Sequence, residues 1–241
     1  VNFRVEDFAK LMLVFKKMFL AKTIFMDEVQ NVPGWERFTR RLYEEGYKIF
    51  VTGSNAKLLS SELATHLTAR YFKIELYPFS FTEFLKFKNI SIESSGSDGR
   101  AKILKNFDWY LENGGFPEMV KYNDLEFLKR TYEDVIYKDL LVRFKIREVE
   151  AFKQLSSYLF SNFAKIISYS SLKNILGFKS VMSVKNHINH LQESYLLFSI
   201  YKYDFSLKKQ YVADKKIYVI DNGLRNAVSF SISEDKGRQL E

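Results

Sequence analysis

The chain contains no cysteine, only three histidines and only three prolines among its 241 residues. Without cysteine it can form neither a disulfide nor a thiolate metal site, so disulfide scaffolds and cysteine zinc fingers are excluded. No apolar run approaches the roughly 20 residues that a membrane-spanning helix needs, and the early LMLVF stretch is too short for a signal peptide. We therefore expect a cytoplasmic protein without membrane association.

Positive charge is unevenly spread along the chain, and residues 1–90 hold 14 Lys and Arg against 10 Asp and Glu. The formal net charge is +8, and residues 150–241 hold 13 Lys and Arg against 8 Asp and Glu. Residues 91–149, in contrast, hold 10 against 11. A basic segment of this kind favours a polyanion partner such as DNA. A solvated basic surface has the same composition, so charge alone does not decide between the two.

The first part of the chain alternates between helical and strand-like patterns. The predicted elements are, in order, a helix over 5–19, a strand over 23–26 (TIFM), a helix over 35–46, a strand over 48–54 (KIFVTGS), a helix over 56–68 and a strand over 70–79 (RYFKIELYPF). This order predicts an α/β domain with a parallel sheet over residues 1–94. The continuous apolar strands favour a sheet that is covered on both faces.

The rest of the chain reads as mainly helical. A serine- and glycine-rich stretch, ISIESSGSDG, places a domain boundary near residue 95. Residues 95–149 predict an all-helical linker or lid segment with a tight turn at NGGFPE. Residues 150–241 predict three helices followed by two strands with a short basic loop between them. That arrangement is typical of a winged helix.

Two adjacent carboxylates, Asp27 and Glu28, follow the predicted strand TIFM. In open α/β sheets, ligands bind beyond the carboxyl ends of the strands. A nucleoside-triphosphate site needs one carboxylate for the hydrated Mg²⁺ and another group that orients the attacking water. An isolated acidic pair is more often a capping or solvated pair, so this motif alone leaves both interpretations open.

The next predicted strand, KIFVTGS, ends in Thr52, Gly53 and Ser54, and Asn55 follows it. All four residues are small, and all except Gly53 have polar side chains. Side chains at this end of the sheet can contact a γ-phosphate and the lytic water. Arg70, at the start of the third predicted strand, can supply positive charge to phosphoryl transfer, in its own subunit or in a neighbouring one. A surface salt bridge is the alternative role for Arg70.

The predicted winged helix offers many lysines that suit phosphate groups. Its third helix and the residues just before it carry Lys179, Lys185 and Asn189. The strands and their loop add Lys202, Lys208, Lys209, Lys215 and Lys216. Because lysines outnumber arginines here, we expect phosphate contacts rather than bidentate reading of guanine. The alternative is a winged helix that serves packing or oligomerisation.

Several sequence blocks resemble a known family. DEVQNVPGWERF, VTGSNAKLLSSELATHLTARY and ELYPFSFTEFL are similar to successive blocks of the prokaryotic AAA-type P-loop ATPases. NGGFPE, YKDLLVRFKI and KKIYVIDNGLRNAV resemble the domain of unknown function, with a winged helix, that follows the ATPase in that family. The likeness covers nearly the whole chain. It implies a P-loop-type sheet, ATP and Mg²⁺ as cofactors, and assembly into a homo-oligomer.

The resemblance also implies roles for single residues. Asp27 matches the Walker B aspartate that binds Mg²⁺, and Glu28 matches the catalytic glutamate that activates water. Ser54 or Asn55 matches the sensor, and Arg70 the arginine finger. Asp27, Glu28 and Asn55 would then contact the nucleotide.

The chain departs from the family pattern at two points. Ala69 stands where the family usually has glycine, directly before Arg70. No GxxxxGK[ST] loop, whose amides and lysine bind the phosphates, occurs in the 241 residues. Since Val1 is not an initiator residue, we expect that the sequence starts downstream of the first strand and this loop. This fragment alone should then not hydrolyse ATP. The resemblance further implies a nuclease-like region beyond Glu241.

Three functions remain open at this point. The leading prediction is a nucleotide-dependent ATPase module that is coupled to a winged-helix DNA-binding domain. A non-hydrolysing DNA-binding regulator with a degenerate nucleotide fold is the second. The third is a signalling ATPase whose winged helix contacts protein.

Overall fold

The computed structural model describes residues 5–29, 32–54, 71–92, 96–229 and 236–241. Its contacts divide the chain into two compact units, Val1–Glu75 and Leu76–Glu241. The division falls before the boundary predicted near residue 95, because the helix that follows Ser80 packs within the second unit. In the described residues, no helix is long and apolar enough to cross a membrane.

The first unit alternates helices and strands as predicted. Its elements are helix α1 (Val5–Met18), strand β1 (Thr23–Met26), helix α2 (Trp35–Glu44) and strand β2 (Lys48–Val51). The two strands pair in parallel, with Thr23 opposite Lys48 and Met26 opposite Val51. Both helices contribute to one aromatic core, in which the rings of Phe8 and Phe38 stack at a centroid distance of 4.4 Å. The parallel pair confirms the predicted direction of the sheet.

Among the described residues of the first unit, side chains cover one face of this two-stranded sheet and leave the other face open. Ile24 of β1 and Ile49 of β2 pack on the aromatic core to which α1 and α2 contribute, so these helices lie against this face. On the other face, Phe25 and Phe50 stack on each other at 4.8 Å and remain exposed to solvent. The prediction of a sheet covered on both faces is therefore not met by the described residues of this unit.

The predicted third strand is wrong. Residues 71–79 have no regular secondary structure, and Phe72 is 100% exposed. A strand requires a hydrogen-bonded neighbour, and the described part of the chain pairs none with these residues. The apolar pattern of RYFKIELYPF was therefore insufficient to predict strand pairing. The helix predicted over 56–68 lies outside the described residues.

The second unit is built mainly from helices. The helices ahead of residue 150 are α3 (Phe81–Phe87), α4 (Ser97–Asn113), α5 (Pro117–Tyr122), α6 (Leu125–Glu133), a π-helix (Asp134–Leu140) and α7 (Leu141–Arg143). The later ones are α8 (Val149–Ser161), α9 (Tyr169–Leu176), α10 (Val181–Glu193), α11 (Leu207–Val212), α12 (Asn222–Val228) and α13 (Lys236–Leu240). Helix α3 begins with a capping box, in which Ser80 and Glu83 bond each other's backbone N–H.

A small antiparallel sheet accompanies α8, α9 and α10. It consists of β3 (Ile166–Ile167), β4 (Leu197–Ile200) and β5 (Lys215–Val219), in the order β3-β5-β4. The three helices and the two strands predicted for this region are present. Strand β3 was not predicted, because two residues are too few to show a period. Helix α11 occupies the connection that we expected to be a short loop.

Helix α10 illustrates how the unit forms its core. Val184, Ile188 and Leu191 recur at helical spacing and are completely buried, whereas Lys185 and Asn189 between them are exposed. The completely buried apolar side chains of the unit come from four helices (α6, α8, α10 and α12), the π-helix and β5: Leu128, Leu140, Phe152, Leu155, Leu159, Phe160, Val184, Ile188, Leu191, Ile217 and Leu224.

The buried carboxylate of Asp221 connects the end of the sheet to the NGG turn. One of its oxygens accepts the Gly115 N–H at 2.7 Å, and the other accepts the Leu224 N–H at 2.8 Å, which caps α12. Burial raises the pKa of Asp221, although these N–H bonds act in the opposite direction. Gly114 lies so close that a Cβ built on it would be 2.1 Å from the carboxylate.

We expect Gly114→Ala to destabilise the second unit strongly. Its backbone has φ +75° and ψ −166°, a region open essentially only to glycine, and the added methyl group would collide with Asp221. A loss of about 3 kcal/mol or more in the free energy of unfolding is expected, measured by urea denaturation.

Gly177→Ala is the matched control for this substitution. Gly177 also has a positive φ of +71°, but a Cβ there meets nothing within 4 Å. This control should lose only about 1 kcal/mol, from backbone strain alone. Equal losses in the two variants would contradict a steric role for the contact between Gly114 and Asp221.

His187 lies on the inner side of α10, between two aromatic rings. Its ring centroid is 5.2 Å from that of Phe152 and 5.4 Å from that of Phe178. Its buried Nδ1 has no hydrogen-bond partner among the described residues. Burial lowers the pKa of His187 below 6.5, and the carboxylate of Glu148 acts weakly in the opposite direction. The folded chain therefore favours the neutral imidazole.

This burial predicts a loss of stability in mild acid. As the pH falls below 6.5, the unfolded chain binds a proton at His187 before the folded chain does, so the free energy of unfolding decreases. In urea unfolding, the free energy of unfolding of the wild type should therefore fall relative to that of His187→Gln as the pH is lowered from about 7.5 to about 5.5. Parallel pH profiles for the two proteins would contradict this assignment.

Candidate nucleotide and nucleic-acid sites

The parallel pairing of β1 and β2 continues past the ends of both strands. Thr52 N–H donates to the carbonyl of Met26 at 3.0 Å, and Val29 N–H donates to the carbonyl of Thr52 at 3.3 Å. Val29 is buried in the core of the first unit. These bonds hold Asp27 and Glu28 opposite Thr52 at the carboxyl edge of the sheet.

The hydroxyl group of Thr52 connects the two acidic residues. It donates to Oδ1 of Asp27 and accepts the backbone N–H of Glu28 at 3.3 Å. Ser54 Oγ donates to Oε2 of Glu28 at 3.4 Å. Glu28 has a φ of +49°, so the chain turns sharply between the two carboxylates. Asp27, Glu28 and Ser54 are thus brought together as predicted.

Thr52 is the residue of this site that the sequence prediction named at the strand end but gave no role of its own. Its position in KIFVTGSN, one residue past an apolar strand, was the available signal. A threonine next to a strand end is common, and only the parallel register of β1 and β2 places its hydroxyl group against Asp27. Asn55 and Arg70 lie outside the described residues.

The chemistry of this edge fits a hydrated magnesium ion. Asp27 and Glu28 are both exposed to solvent and offer carboxylate oxygens, the ligand type that Mg²⁺ prefers. Such ions usually keep several waters and bind one or two carboxylates together with substrate phosphates. Among the residues that the structure describes, no cluster of three or more His, Cys, Asp or Glu side chains is suited to hold a metal by itself.

Six of the eight residues predicted to contact DNA fall into two groups. Lys179, Lys185 and Asn189 lie on or just before α10 and are exposed. Lys202, Lys208 and Lys209 lie between β4 and β5 and are also exposed. These six residues are accessible to a polyanion.

Lys215 and Lys216 occupy different environments from the other predicted lysines. Lys215 is only 8% exposed, and its Nζ lies 4.0 Å from the ring centroid of Tyr201 and 5.6 Å from that of Tyr169. Burial alone would lower the pKa of Lys215, but its interactions with Tyr201 and Tyr169 raise it overall. Lys216 forms an ion pair with Glu241. We therefore correct the prediction for Lys215, which is an interior cation and not a surface contact.

Comparisons with known proteins bear on both units. Residues 1–85 match the family model described as an AAA domain, and residues 104–236 match the family described as a domain of unknown function (DUF8612). The first match supports an AAA-type P-loop relationship for the N-terminal unit. The second covers more than half of the chain.

Two curated relatives, both uncharacterized proteins, are similar along most of the chain. One, from Methanocaldococcus jannaschii, is 36% identical over 250 aligned residues and matches 100% of this chain. The other, from Haemophilus influenzae, is 31% identical over 231 residues and matches 91% of the chain. In both cases the alignment spans 56% of the relative's own length.

Among solved structures, that of the Aeropyrum pernix ORC1 protein in complex with DNA aligns with the chain. It aligns over 95% of this chain and 68% of that protein, with a TM-score of 0.37 and 12% identity. A similarity at this level carries no argument about the present chain. The family assignment follows from the sequence matches: the chain belongs to the DUF8612 family, with an AAA domain match in its first 85 residues.

Proposed function

We propose that the intact protein is a nucleotide-dependent AAA-type ATPase that is coupled to a winged-helix DNA-binding domain and acts in the cytoplasm. The observation that carries this proposal is the site at the edge of β1 and β2. There, the Thr52 hydroxyl group joins the Asp27 carboxylate to the backbone N–H of Glu28, within a segment that matches an AAA domain. Phosphates would be bound by a loop of the GxxxxGK[ST] type, which this sequence does not contain.

Each residue of the site has a distinct part in this proposal. Asp27 binds a hydrated Mg²⁺, which neutralises phosphate charge when it is present. Glu28 orients the attacking water, and its contact with Ser54 makes Ser54 suited to sense the γ-phosphate. Asn55 is the second candidate sensor and a nucleotide contact. Arg70 is proposed as the arginine finger, which would act between subunits of a homo-oligomer.

Thr52 acts as a positioning residue. Its hydroxyl group bonds Asp27 as donor and the Glu28 backbone as acceptor, so it fixes the Asp27 carboxylate against the backbone of Glu28. Catalysis of phosphoryl transfer depends mainly on positioning and electrostatic stabilisation. Asp27 and Glu28 therefore need fixed positions, and residues that follow the neighbouring strand supply the contacts: Thr52 for the Asp27 carboxylate and Ser54 for the Glu28 carboxylate.

The proposal of DNA binding rests on the order of elements in the second unit. Helix α8, strand β3, helices α9 and α10, and strands β4 and β5 follow one another as in a winged helix. Helix α10 occupies the position of the recognition helix. Its outward side chains Lys185 and Asn189 are exposed, as is Lys179 just before the helix. Lysines at these positions suit phosphate contacts.

We expect Glu28→Gln in the intact protein to bind ATP but to lose turnover. The amide keeps the size of the side chain and cannot accept a proton from water, so the rate should fall about 100-fold or more. Steady-state phosphate release and binding of a fluorescent ATP analogue measure the two properties separately. Glu44→Gln is the control, because Glu44 is an exposed glutamate on α2 in the same unit.

Unchanged hydrolysis in Glu28→Gln would overturn the assignment of the catalytic glutamate. If the wild-type intact protein itself neither binds nor hydrolyses ATP, the non-hydrolysing regulator or signalling protein with a degenerate nucleotide fold replaces the ATPase.

We also expect binding of duplex DNA to depend on salt through the lysines beside and on α10. The double variant Lys179→Ala/Lys185→Ala removes two phosphate contacts, so the slope of log affinity against log salt should become shallower by about 2. Fluorescence anisotropy of a labelled duplex at several salt concentrations, with and without ATP, measures this slope.

The control for the lysine pair is Lys102→Ala/Lys105→Ala, which removes two exposed lysines from α4. This variant should bind the duplex like the wild type. An equal effect of both pairs would show attraction by net charge only. Absence of duplex binding at low salt would favour the signalling protein, whose winged helix contacts protein.

A further inference from the structure

We propose that the connection between β4 and β5, residues 201–214, binds unpaired bases of single-stranded nucleic acid by stacking. The stacking residues are Tyr203, Phe205 and Tyr211, and the flanking lysines contact the phosphates. This inference rests on the proposed nucleic-acid function and adds a second ligand class to it. It assigns a role to aromatic side chains, whereas the DNA proposal above concerns lysines and α10.

The three aromatic side chains are unusually exposed. Tyr203 is 76% exposed, Phe205 is 95% exposed and Tyr211 is 69% exposed. Leu207 and Val212, in the same connection, are exposed as well. Exposed apolar surface that is concentrated in one short connection is a feature of binding sites in proteins.

The connection is ordered by hydrogen bonds of its own. The carboxylate of Asp204 accepts the Ser206 N–H at 2.9 Å, just before α11 begins. The side-chain amide of Gln210 donates to the carbonyl of Asp204 at 2.5 Å. These bonds tie the first half of the connection to α11. A bound strand would therefore meet a surface that is already arranged, which reduces the entropy lost on binding.

The rings are arranged so that faces stay open. Tyr203 and Phe205 meet edge to face at 5.6 Å, and Tyr201 and Tyr211 meet edge to face at 6.1 Å. In such a pair, the ring that presents its edge has neither face covered by its partner. An uncovered ring face is what a base needs in order to stack.

Buried Lys215 anchors one end of this surface. Its Nζ lies 4.0 Å from the ring centroid of Tyr201, which in turn contacts Tyr211. A cation held over an aromatic ring stabilises the ring's position, more strongly when the pair is shielded from water. Because Lys215 is buried, it is not among the phosphate contacts. Its role is structural: it holds Tyr201 in place at the stacking surface.

The charge of the connection complements a phosphate backbone. Lys202, Lys208 and Lys209 are exposed, and no ion pair involves them within the part of the chain that the structure describes. The connection also contains two acidic residues, Asp204 and Asp214, and the Asp204 carboxylate is engaged by the Ser206 N–H. Lysines interleaved with aromatic residues are typical of surfaces that follow single strands.

Unpaired bases fit this surface better than duplex DNA does. In a duplex, base faces are covered by their neighbours, so exposed rings have little to stack on except at ends. In a single strand, each base offers a face to an aromatic side chain irrespective of sequence. We therefore expect a preference for single-stranded or partly unpaired nucleic acid, without strong sequence preference.

The experiment compares three labelled DNAs by fluorescence anisotropy at constant salt: a blunt duplex, the same duplex with a single-stranded extension, and a single strand of about 16 nucleotides. The variant is Tyr203→Leu/Phe205→Leu/Tyr211→Leu, which keeps apolar side chains and removes the rings. The matched control is Tyr122→Leu, an exposed tyrosine on α5. Sedimentation of each protein reports its oligomeric state.

The wild type should bind the extended duplex and the single strand more tightly than the blunt duplex. The triple variant should lose this preference, with a drop of about tenfold or more on the single strand. Its affinity for blunt duplex should stay within about twofold, because the lysines remain. A 2-aminopurine base in the single strand should be quenched by the wild type and by Tyr122→Leu, but not by the triple variant.

The outcomes separate this inference from the proposed function. Equal affinity of wild type and triple variant for all three DNAs, with duplex binding intact, overturns the stacking surface and leaves duplex binding standing. An equal loss on all three DNAs also overturns it, since the rings would then not distinguish unpaired bases. A change of oligomeric state without a change in binding assigns the rings to a contact between protein chains and overturns the inference. Failure of the wild type to bind any DNA at low salt overturns both.

Discussion

The second unit depends on one buried carboxylate. Asp221 accepts N–H groups from Gly115 and from Leu224, and thereby joins the NGG turn after α4 to the first turn of α12. The approach is so close that neither Gly114 nor Gly223 has room for a Cβ. Further bonds surround this contact: Phe79 N–H donates to the Gly115 carbonyl. Without such donors, burial of the carboxylate would make the free energy of folding less favourable by several kcal/mol. The glycines allow the donors to come close, so the glycines and the acid are required together.

The same contact organises the aromatic surroundings of the turn. The Tyr110 hydroxyl group donates to the carbonyl of Phe79 at 2.6 Å, and burial, together with the carboxylates of Asp221 and Glu83, raises the pKa of Tyr110 to about 12. This tyrosine therefore remains a neutral donor over the whole physiological range. The blocks NGGFPE and KKIYVIDNGLRNAV, which lie far apart in the sequence, form one structural unit for this reason. Both blocks lie within residues 104–236, which match DUF8612.

Much of the local structure could be predicted from the sequence because it depends on neighbours within a few residues. The TIFM strand, the helix ending before Gly46 and the alternation of inward and outward residues on α10 follow from periodicity and end signals. The acidic pair and Ser54 could be placed at one sheet edge, since parallel strands align their carboxyl ends. The third strand could not be predicted correctly, because pairing requires a partner strand that periodicity does not reveal. The role of Thr52 was missed for a related reason: it depends on the register between β1 and β2.

By itself, the sequence determined the order of α1, β1, α2 and β2, the basic C-terminal third and the position of two carboxylates after a strand. Only the tertiary structure decided which face of the first sheet is covered, that Lys215 is an interior cation beside Tyr169 and Tyr201, and that the neighbouring aromatic rings stay exposed. The physical reason is the range of the interactions. Helix and strand patterns arise from adjacent side chains and backbone groups, whereas burial and electrostatic environment arise from residues brought together across long stretches of chain.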